Sequence, residues 1–155
     1  MSTHEAERAV LGCVLADPGV MADLVDLGAH HFHLEQLGRL WSVMQSIRGP
    51  VTLATVIDEA TRHGIEVSTV LECNAPAAAG VVGYRDIVIE GWREREYQRT
   101  LEFAVKRIGG KYRVGQLSWE LIRSVQAIAS SAGEMSQSFE AVSYTHLTLP
   151  TNREV

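Results

Sequence analysis

Apolar residues recur at three- and four-residue steps along most of this chain, which is the spacing of one face of an α-helix. The first such stripe contains Ala6, Ala9, Val10, Cys13 and Val14. Glu5 and Glu7 lie in the first turn, where carboxylates stabilise the positive end of the helix dipole. Pro18 ends this helix, because a proline disfavours helical geometry at the preceding Asp17. The stripe must pack against other helices to leave water.

Glycine, proline and N-capping residues divide the next part of the chain into short segments. The predicted segments are a helix from Pro18 that Gly28 ends, a connector His30–His33, helices Leu34–Arg48 and Leu53–His63, a brief helix Ser68–Glu72 and a turn Asn74–Pro76. Thr52 has the side chain of an N-cap for the fourth helix, and Gly64 is its natural stop.

Two longer periodic segments follow these short ones. The first extends from Val81 to about Ile108 and ends at Gly109-Gly110, and the second extends from about Gly115 to Ala132. Two helices joined by a short turn that contains glycine fold back as an antiparallel pair. Strand signals are weak, so the predicted fold class is all-α. We expect a small helical head over residues 4–80 and a long antiparallel helical hairpin over residues 81–133.

The carboxyl-terminal residues 142–155 differ in character from the rest of the chain. They alternate β-branched and aromatic residues with polar ones, yet no second strand is available to pair with them. They also resemble a tail produced by sequencing-adaptor read-through in unrelated conceptual translations. We therefore hypothesise that the native sequence stops near Ala141 and that 142–155 is a non-native tail.

Signatures of catalysis and of metal binding are absent from the sequence. It has no phosphate-binding loop, nucleophile elbow or paired-cysteine motif. His30, His31 and His33 are too few to complete a zinc site and indicate a polar connector. The carboxylate pairs Asp58-Glu59 and Asp86 with Glu90 indicate solvated helix faces. We assign no catalytic, cofactor-binding or metal-binding residue.

The two cysteines and the amino-terminal sequence indicate in which cellular compartment the protein resides. Cys13 and Cys73 lie in apolar helical patterns, where buried free thiols of a reducing compartment are the expected state. The chain begins without a signal peptide and contains no stretch as long as a membrane span. We therefore expect a cytoplasmic protein that does not enter a membrane.

A net charge of −5 over 155 residues argues against non-specific binding of nucleic acid by the domain as a whole. Basic residues nevertheless concentrate on the long helix. The candidate basic face comprises Arg93, Arg95, Arg99, Lys106 and Arg107. Such a face is either a solvated helix surface or a site for nucleic acid or another partner. Trp92 and Tyr97, close by, either pack across a helix–helix interface or stack on single-stranded bases, and their helical spacing favours packing.

The predicted hairpin has too little core of its own to cover both of its apolar sides. An uncovered apolar stripe is typical of a protein–protein interface. The candidate self-association residues are Trp92, Leu101, Val105, Ile108, Leu121, Ile122 and Val125. We therefore predict a homo-oligomer that forms through the hairpin.

Several sequence blocks, in order, resemble one protein family. They are Glu5–Gly12, His31–His33 with Arg39–Met44, Gly49–Val56, and Pro76–Gly80 with Tyr84–Val88. Together they resemble the amino-terminal domain of DnaB-type replicative DNA helicases, over His4 to about Ile108. The chain departs from the family pattern at His33 and Gly38, where tyrosine and histidine are common, and at Thr52, which replaces an aspartate but keeps N-capping chemistry.

The resemblance implies a head plus a hairpin that pairs with a neighbour's hairpin, building a collar above a ring of six ATPase domains. It also implies primase and a helicase loader as partners. ATP, magnesium and most DNA contacts would belong to a later domain that this chain lacks, so only the full-length parent would be an ATP-dependent helicase. Two alternatives are a non-enzymatic adaptor of the same fold, such as a primase helicase-binding domain, and an all-α nucleic-acid-binding regulator.

Overall fold

The structure, a computed structural model, describes residues 1–73, 80–110 and 113–131. Every regular element in these ranges is helical, which confirms the all-α fold class. The elements are α1 (Thr3–Ala16), 3-10 helices Pro18–Leu24 and Ala29–His31, α2 (Glu35–Ser46), α3 (Leu53–Arg62), α4 (Val67–Leu71), α5 (Val81–Arg107) and α6 (Val114–Ser130). No helix in the described ranges combines the length and the hydropathy that crossing a bilayer requires.

Side-chain caps begin the α-helices α1 and α3. Ser2 and Glu5 form a reciprocal capping box at α1, in which the Ser2 backbone N–H donates to the Glu5 carboxylate at 2.7 Å. This hydrogen bond is the main reason that the pKa of Glu5 lies below its usual value. Thr52 caps α3 by accepting from the Thr55 backbone N–H at 3.3 Å, which confirms its predicted role.

Some short segments differ from the sequence prediction. The segment after Pro18 is a 3-10 helix rather than an α-helix, and its i→i+3 bonds include Val20 N–H to the Asp17 carbonyl. Such tight turns are common in short connectors. The predicted connector contains a 3-10 turn at Ala29–His31. Helix α4 begins at Val67 with Glu66 as its N-cap, not at Ser68.

The chain divides into two compact units between Glu94 and Arg95, inside α5 and not at residue 80 as expected. The first part of α5 belongs to the first unit because Val81 and Val88 join the same core cluster as α1. A Cβ on Gly91 would lie only 2.7 Å from Thr3 Cγ2, so these two helices approach closely there. The turn Asn74–Pro76 and the hypothesised tail 142–155 lie outside the described residues.

The core of the first unit is built around α1 and α2. The predicted α1 stripe is confirmed, since all five of its residues are buried. Trp41 on α2 is also buried, and its indole N–H donates to the Leu27 carbonyl at 2.9 Å. This bond satisfies the one polar atom that the ring takes out of water. The first unit therefore closes its own apolar core.

The second unit is an antiparallel pair formed by the end of α5 and by α6. The α5 helix ends at Arg107, and Gly109 follows with φ +88°, a left-handed conformation that glycine adopts without strain. The Arg107 guanidinium donates to the Glu120 carboxylate at 2.6 Å across the pair. This contact shows that the turn of α6 around Glu120 lies opposite the end of α5.

Candidate functional site

The inner surface of the second unit defines how its two helices face each other. The residues that meet across it on α5 and α6 are Thr100, Ala104, Arg107, Leu117, Leu121 and Ser124. Together with Phe103 and Glu120, at one edge, they line a narrow cavity between the two helices. Most of these residues are small or only half-buried. The contact between α5 and α6 therefore removes little apolar surface from water.

Helix geometry then decides which side chains share an outer side. Each residue is rotated by about 100° from the one before it, and the two right-handed helices run in opposite directions. Residues that directly follow an inner residue therefore emerge on the same side of the pair on both helices. These residues are Leu101 and Val105 on α5, Ile108 directly after its end, and Ser118, Ile122 and Val125 on α6. Ser118 is polar, and we call the other five residues the apolar face.

The apolar face is open to solvent in the isolated chain. Val105 and Ile108 are 65% and 71% exposed, and Val125 is half-buried. None of the five side chains carries a charge. A contiguous apolar surface of this kind marks an interaction site.

Residues that directly precede an inner residue emerge on the opposite side. They are Arg99, Phe103 and Lys106 on α5 and Gln116, Glu120 and Arg123 on α6. We call these six residues the charged face. The second unit thus has two chemically distinct sides, and the same helical rotation generates both of them.

The structure separates the predicted self-association residues into three environments. Five of the seven form the apolar face, whereas Leu121 lies on the inner surface between the helices. Trp92 belongs to the first unit, where its ring meets the rings of His30 and His31 edge-on at 5.5 and 4.9 Å between centroids. Trp92 therefore packs inside the first unit, whereas the sequence predicts it to be a self-association residue.

Three exposed apolar residues of the second unit escaped the sequence prediction, namely Phe103, Val114 and Trp119. Trp119 precedes Ile122 by three residues, so helical spacing alone could have identified it. Phe103 lies under the Arg107 guanidinium, which is 4.3 Å from the ring centroid. This contact depends on the side-chain arrangement and has no signature in the sequence.

The predicted basic residues do not form one face. Arg93 pairs with Glu90 at 2.9 Å and lies in the first unit, whereas Arg107 points to the inner surface and pairs with Glu120. Arg95, Arg99 and Lys106 share a side because they are four and seven residues apart. Arg99 also pairs with Glu96, at 2.6 Å. The structure adds Arg123, on the charged face, which the sequence prediction did not include.

Glu7 has a structural role that the sequence prediction missed. Its side chain is completely buried and its carboxylate accepts backbone N–H groups from His33, at 2.6 Å, and Leu34, at 3.5 Å. These donors lie at the start of α2, where a carboxylate also stabilises the helix dipole. Glu7 therefore fastens the histidine connector to α1, whereas the sequence suggested only a favourable position in the first turn of α1.

The histidines and the predicted carboxylate pairs hold structural contacts. His31 Nδ1 accepts the Gly28 backbone N–H at 2.9 Å, and the His4 and His33 rings are 4.8 Å apart. Among the described residues, no three histidine, cysteine or acidic side chains are grouped as metal ligands would be. Asp58 and Glu59 both pair with Arg62 on the exposed side of α3. In the other pair, Asp86 meets Arg85 and Glu90 meets Arg93.

Both cysteines are buried thiols, as predicted. Burial raises the pKa of the Cys73 thiol to about 12 and also raises the pKa of the Cys13 thiol. Since the thiolate is the nucleophilic form, neither side chain is suited to thiol chemistry at neutral pH.

Comparisons with known proteins identify a family and a shared fold. The family model described as DnaB-like helicase N terminal domain matches residues 1–90. The structure is similar to the crystal structure of the N-terminal domain of DnaB helicase from Mycobacterium tuberculosis, with a TM-score of 0.66, 22% sequence identity, and coverage of 81% of this chain and 95% of that chain. No curated protein matches the chain significantly. At this identity the structural match indicates a shared fold.

Proposed function

The chain belongs to the family of DnaB-like helicase N-terminal domains, and from this membership we propose that it is the collar domain of a replicative DNA helicase. In this role its second unit joins copies of the protein, and the assembled collar receives primase and the helicase loader. ATP and magnesium would bind to a later domain of the parent protein, which would also unwind DNA. The proposal gives no catalytic role to any described residue.

The observation that carries the proposal is the apolar face. Leu101, Val105 and Ile108 are each more than half exposed, and burying such side chains stabilises an interface by about 25 cal/mol per Å2 of apolar surface. A second copy offers the same uncharged surface, so two copies can pack these faces around a two-fold axis. The product is a four-helix bundle, a packing in which each helix covers its neighbours' apolar side.

Sedimentation of matched variants tests this proposal. We expect the chain to sediment as a dimer at tens of micromolar, and Val105→Asp and Ile122→Asp to be monomers because each buries an uncompensated charge at the interface. Gln116→Asp places the same charge on the charged face and should remain dimeric. Circular dichroism of each variant checks that the helices are retained. A wild-type chain that is monomeric at several hundred micromolar contradicts the proposal.

The coding sequence beyond Ala141 separates the helicase domain from the adaptor alternative. A phosphate-binding loop downstream of a linker identifies the parent as an ATP-dependent helicase. A reading frame that ends without such a loop favours the adaptor. Direct binding of the primase from the same replication system, measured by calorimetry, tests the docking role separately.

A further inference from the structure

The charged face lies opposite the apolar face of the second unit, so it stays accessible when the apolar face is covered. Three of its six residues are cations, Arg99, Lys106 and Arg123, and one, Glu120, is a carboxylate. Arg107 matches the Glu120 charge and Glu96 matches the Arg99 charge, each at 2.6 Å. This leaves Lys106 and Arg123 without a matching charge among the described residues of this face. The face therefore carries surplus positive charge on both helices, although the whole chain is negative.

An exposed aromatic ring lies among these cations. Phe103 is 56% exposed, and helical spacing places Arg99 one turn before it and Lys106 one turn after it. The Arg107 guanidinium covers part of the ring at 4.3 Å. The uncovered part of the ring is apolar surface that is exposed to water, which is unfavourable. Its position between cations favours a ligand that is both anionic and planar.

We propose that the charged face binds single-stranded nucleic acid. Lys106, Arg123 and Arg99 contact backbone phosphates. One base stacks on the Phe103 ring or on the Arg107 guanidinium that lies over it. Grooves that bind single strands combine these two features, cations along the backbone and aromatic side chains for the bases. A duplex keeps its bases stacked on one another, so it cannot use Phe103. An acidic protein segment would use the cations but would need an aromatic side chain at one matching position to use the ring, whereas every nucleotide carries both a phosphate and a planar base.

The chain's net charge of −5 does not prevent this binding. At about 0.1 M salt the Debye length is about 10 Å, so a phosphate at the charged face responds mainly to nearby side chains. Arg99 is shared with Glu96 at 2.6 Å, but its side chain is 73% exposed and such surface pairs are weak. Replacing the Glu96 carboxylate by a phosphate as the partner of Arg99 therefore costs little free energy.

Fluorescence anisotropy with a labelled 20-residue oligo-dT tests the proposal on the full chain. With about three phosphate contacts, the slope of log K against log salt should be about −2. The double variant Lys106→Glu/Arg123→Glu should bind at least about tenfold more weakly. The control Arg48→Glu/Arg62→Glu changes the net charge equally at exposed positions of the first unit and should bind much as the wild type does.

Phe103 variants test the stacking contact. Phe103→Ala should weaken binding by about five- to a hundredfold, the range for loss of one stacked base, and Phe103→Trp should restore it. A duplex of the same length should bind more weakly and be indifferent to Phe103→Ala. An oligo-rU probe distinguishes DNA from RNA, and tighter binding of either identifies the preferred strand.

Three results overturn the proposal: no binding at 50 mM salt, equal loss in the control double variant, or competition by a poly-glutamate peptide with no effect of Phe103→Ala. The last result assigns the face to an acidic protein instead. Sedimentation of Lys106→Glu/Arg123→Glu should remain that of the wild type, because the apolar face is intact. Failure of nucleic-acid binding is thereby distinguished from failure of the collar proposal.

Discussion

The two units of this chain treat their apolar side chains in opposite ways. In the first unit, Trp41 is buried and its only polar atom is hydrogen bonded. In the second unit, Trp119 is 63% exposed, together with most of the apolar residues of the helix pair. The first unit thus buries its apolar side chains internally, whereas the described part of the second unit leaves most of its own exposed.

This difference follows from the number of helices that surround each apolar stripe. Helix α1 is packed within a cluster of several helices, so every side of its stripe is covered. Among the described residues the end of α5 has one neighbouring helix, α6, and two helices can cover only one side of each other. One chain therefore combines a closed apolar core with an exposed apolar surface, and this surface is the one that we propose for assembly.

Tryptophan replacements give the largest expected contrast between the units. Trp41→Ala should lower the free energy of unfolding by about 3–5 kcal/mol, because it opens a cavity and removes the hydrogen bond to the Leu27 carbonyl. Trp119→Ala should change it by less than about 0.5 kcal/mol in the monomer. Urea unfolding followed by circular dichroism measures both. Equal losses for the two variants would contradict the contrast.

Glutamate replacements sharpen the same contrast through polar groups. Glu7→Ala should cost about 3 kcal/mol, because it empties a buried site and two part-buried backbone N–H groups at the start of α2 lose a charged acceptor. Glu120→Ala breaks an exposed ion pair with Arg107 and should cost at most about 1 kcal/mol. The same unfolding experiment applies. A tolerated Glu7→Ala would show that water replaces the carboxylate.

Glycine replacements should have opposite signs in the two units. A Cβ at Gly38 would lie 2.5 Å from the Ala29 carbonyl oxygen, so Gly38→Ala should cost about 2 kcal/mol through overpacking. Gly115, in the first turn of α6, has no neighbouring atom within 4 Å. Gly115→Ala should therefore stabilise the chain by about 0.5 kcal/mol. Thermal unfolding should show melting temperatures that move in opposite directions.

Thiol labelling should distinguish the two units by how fast a cysteine in each unit reacts. It does so without a substantial change in the stability of the protein at neutral pH. At pH 8, Cys73 should resist a thiol reagent because its pKa is about 12, whereas a cysteine introduced by Val105→Cys should react readily. The introduced thiol should become protected as the protein concentration rises, if copies pair through the apolar face. Rapid labelling of Cys73 in the native state would mean that the first unit opens locally.

The raised pKa of Cys73 also sets the direction of a pH effect. The folded state keeps the proton at pH values where the unfolded state has lost it, so the unfolded state binds fewer protons. The contribution of Cys73 to stability is therefore complete below about pH 9 and declines as the pH rises toward 12. Urea unfolding at pH 8 and pH 10 should show this decline, and Cys73→Ala should reduce it.

Local chemistry in the sequence was sufficient for the helices, their class and much of the core. The Thr52 cap, the Pro18 stop and the α1 stripe depend on neighbours within one or two turns, and such neighbours are visible in the sequence. The type of helix in the short segment after Pro18 was harder to predict, because α- and 3-10 helices differ by only one residue in hydrogen-bond register. The family blocks likewise depend on residue order alone.

Contacts between distant residues required the tertiary structure. Glu7 meets backbone donors twenty-six and twenty-seven positions away, and the unit boundary falls inside α5 because Val81 and Val88 pack with α1. The sequence by itself determined that the two long helices carry apolar and basic residues. Only the packing of α5 against α6 decided which of those residues point inward, because this choice sets the rotation of each helix and thereby separates the apolar face from the charged face.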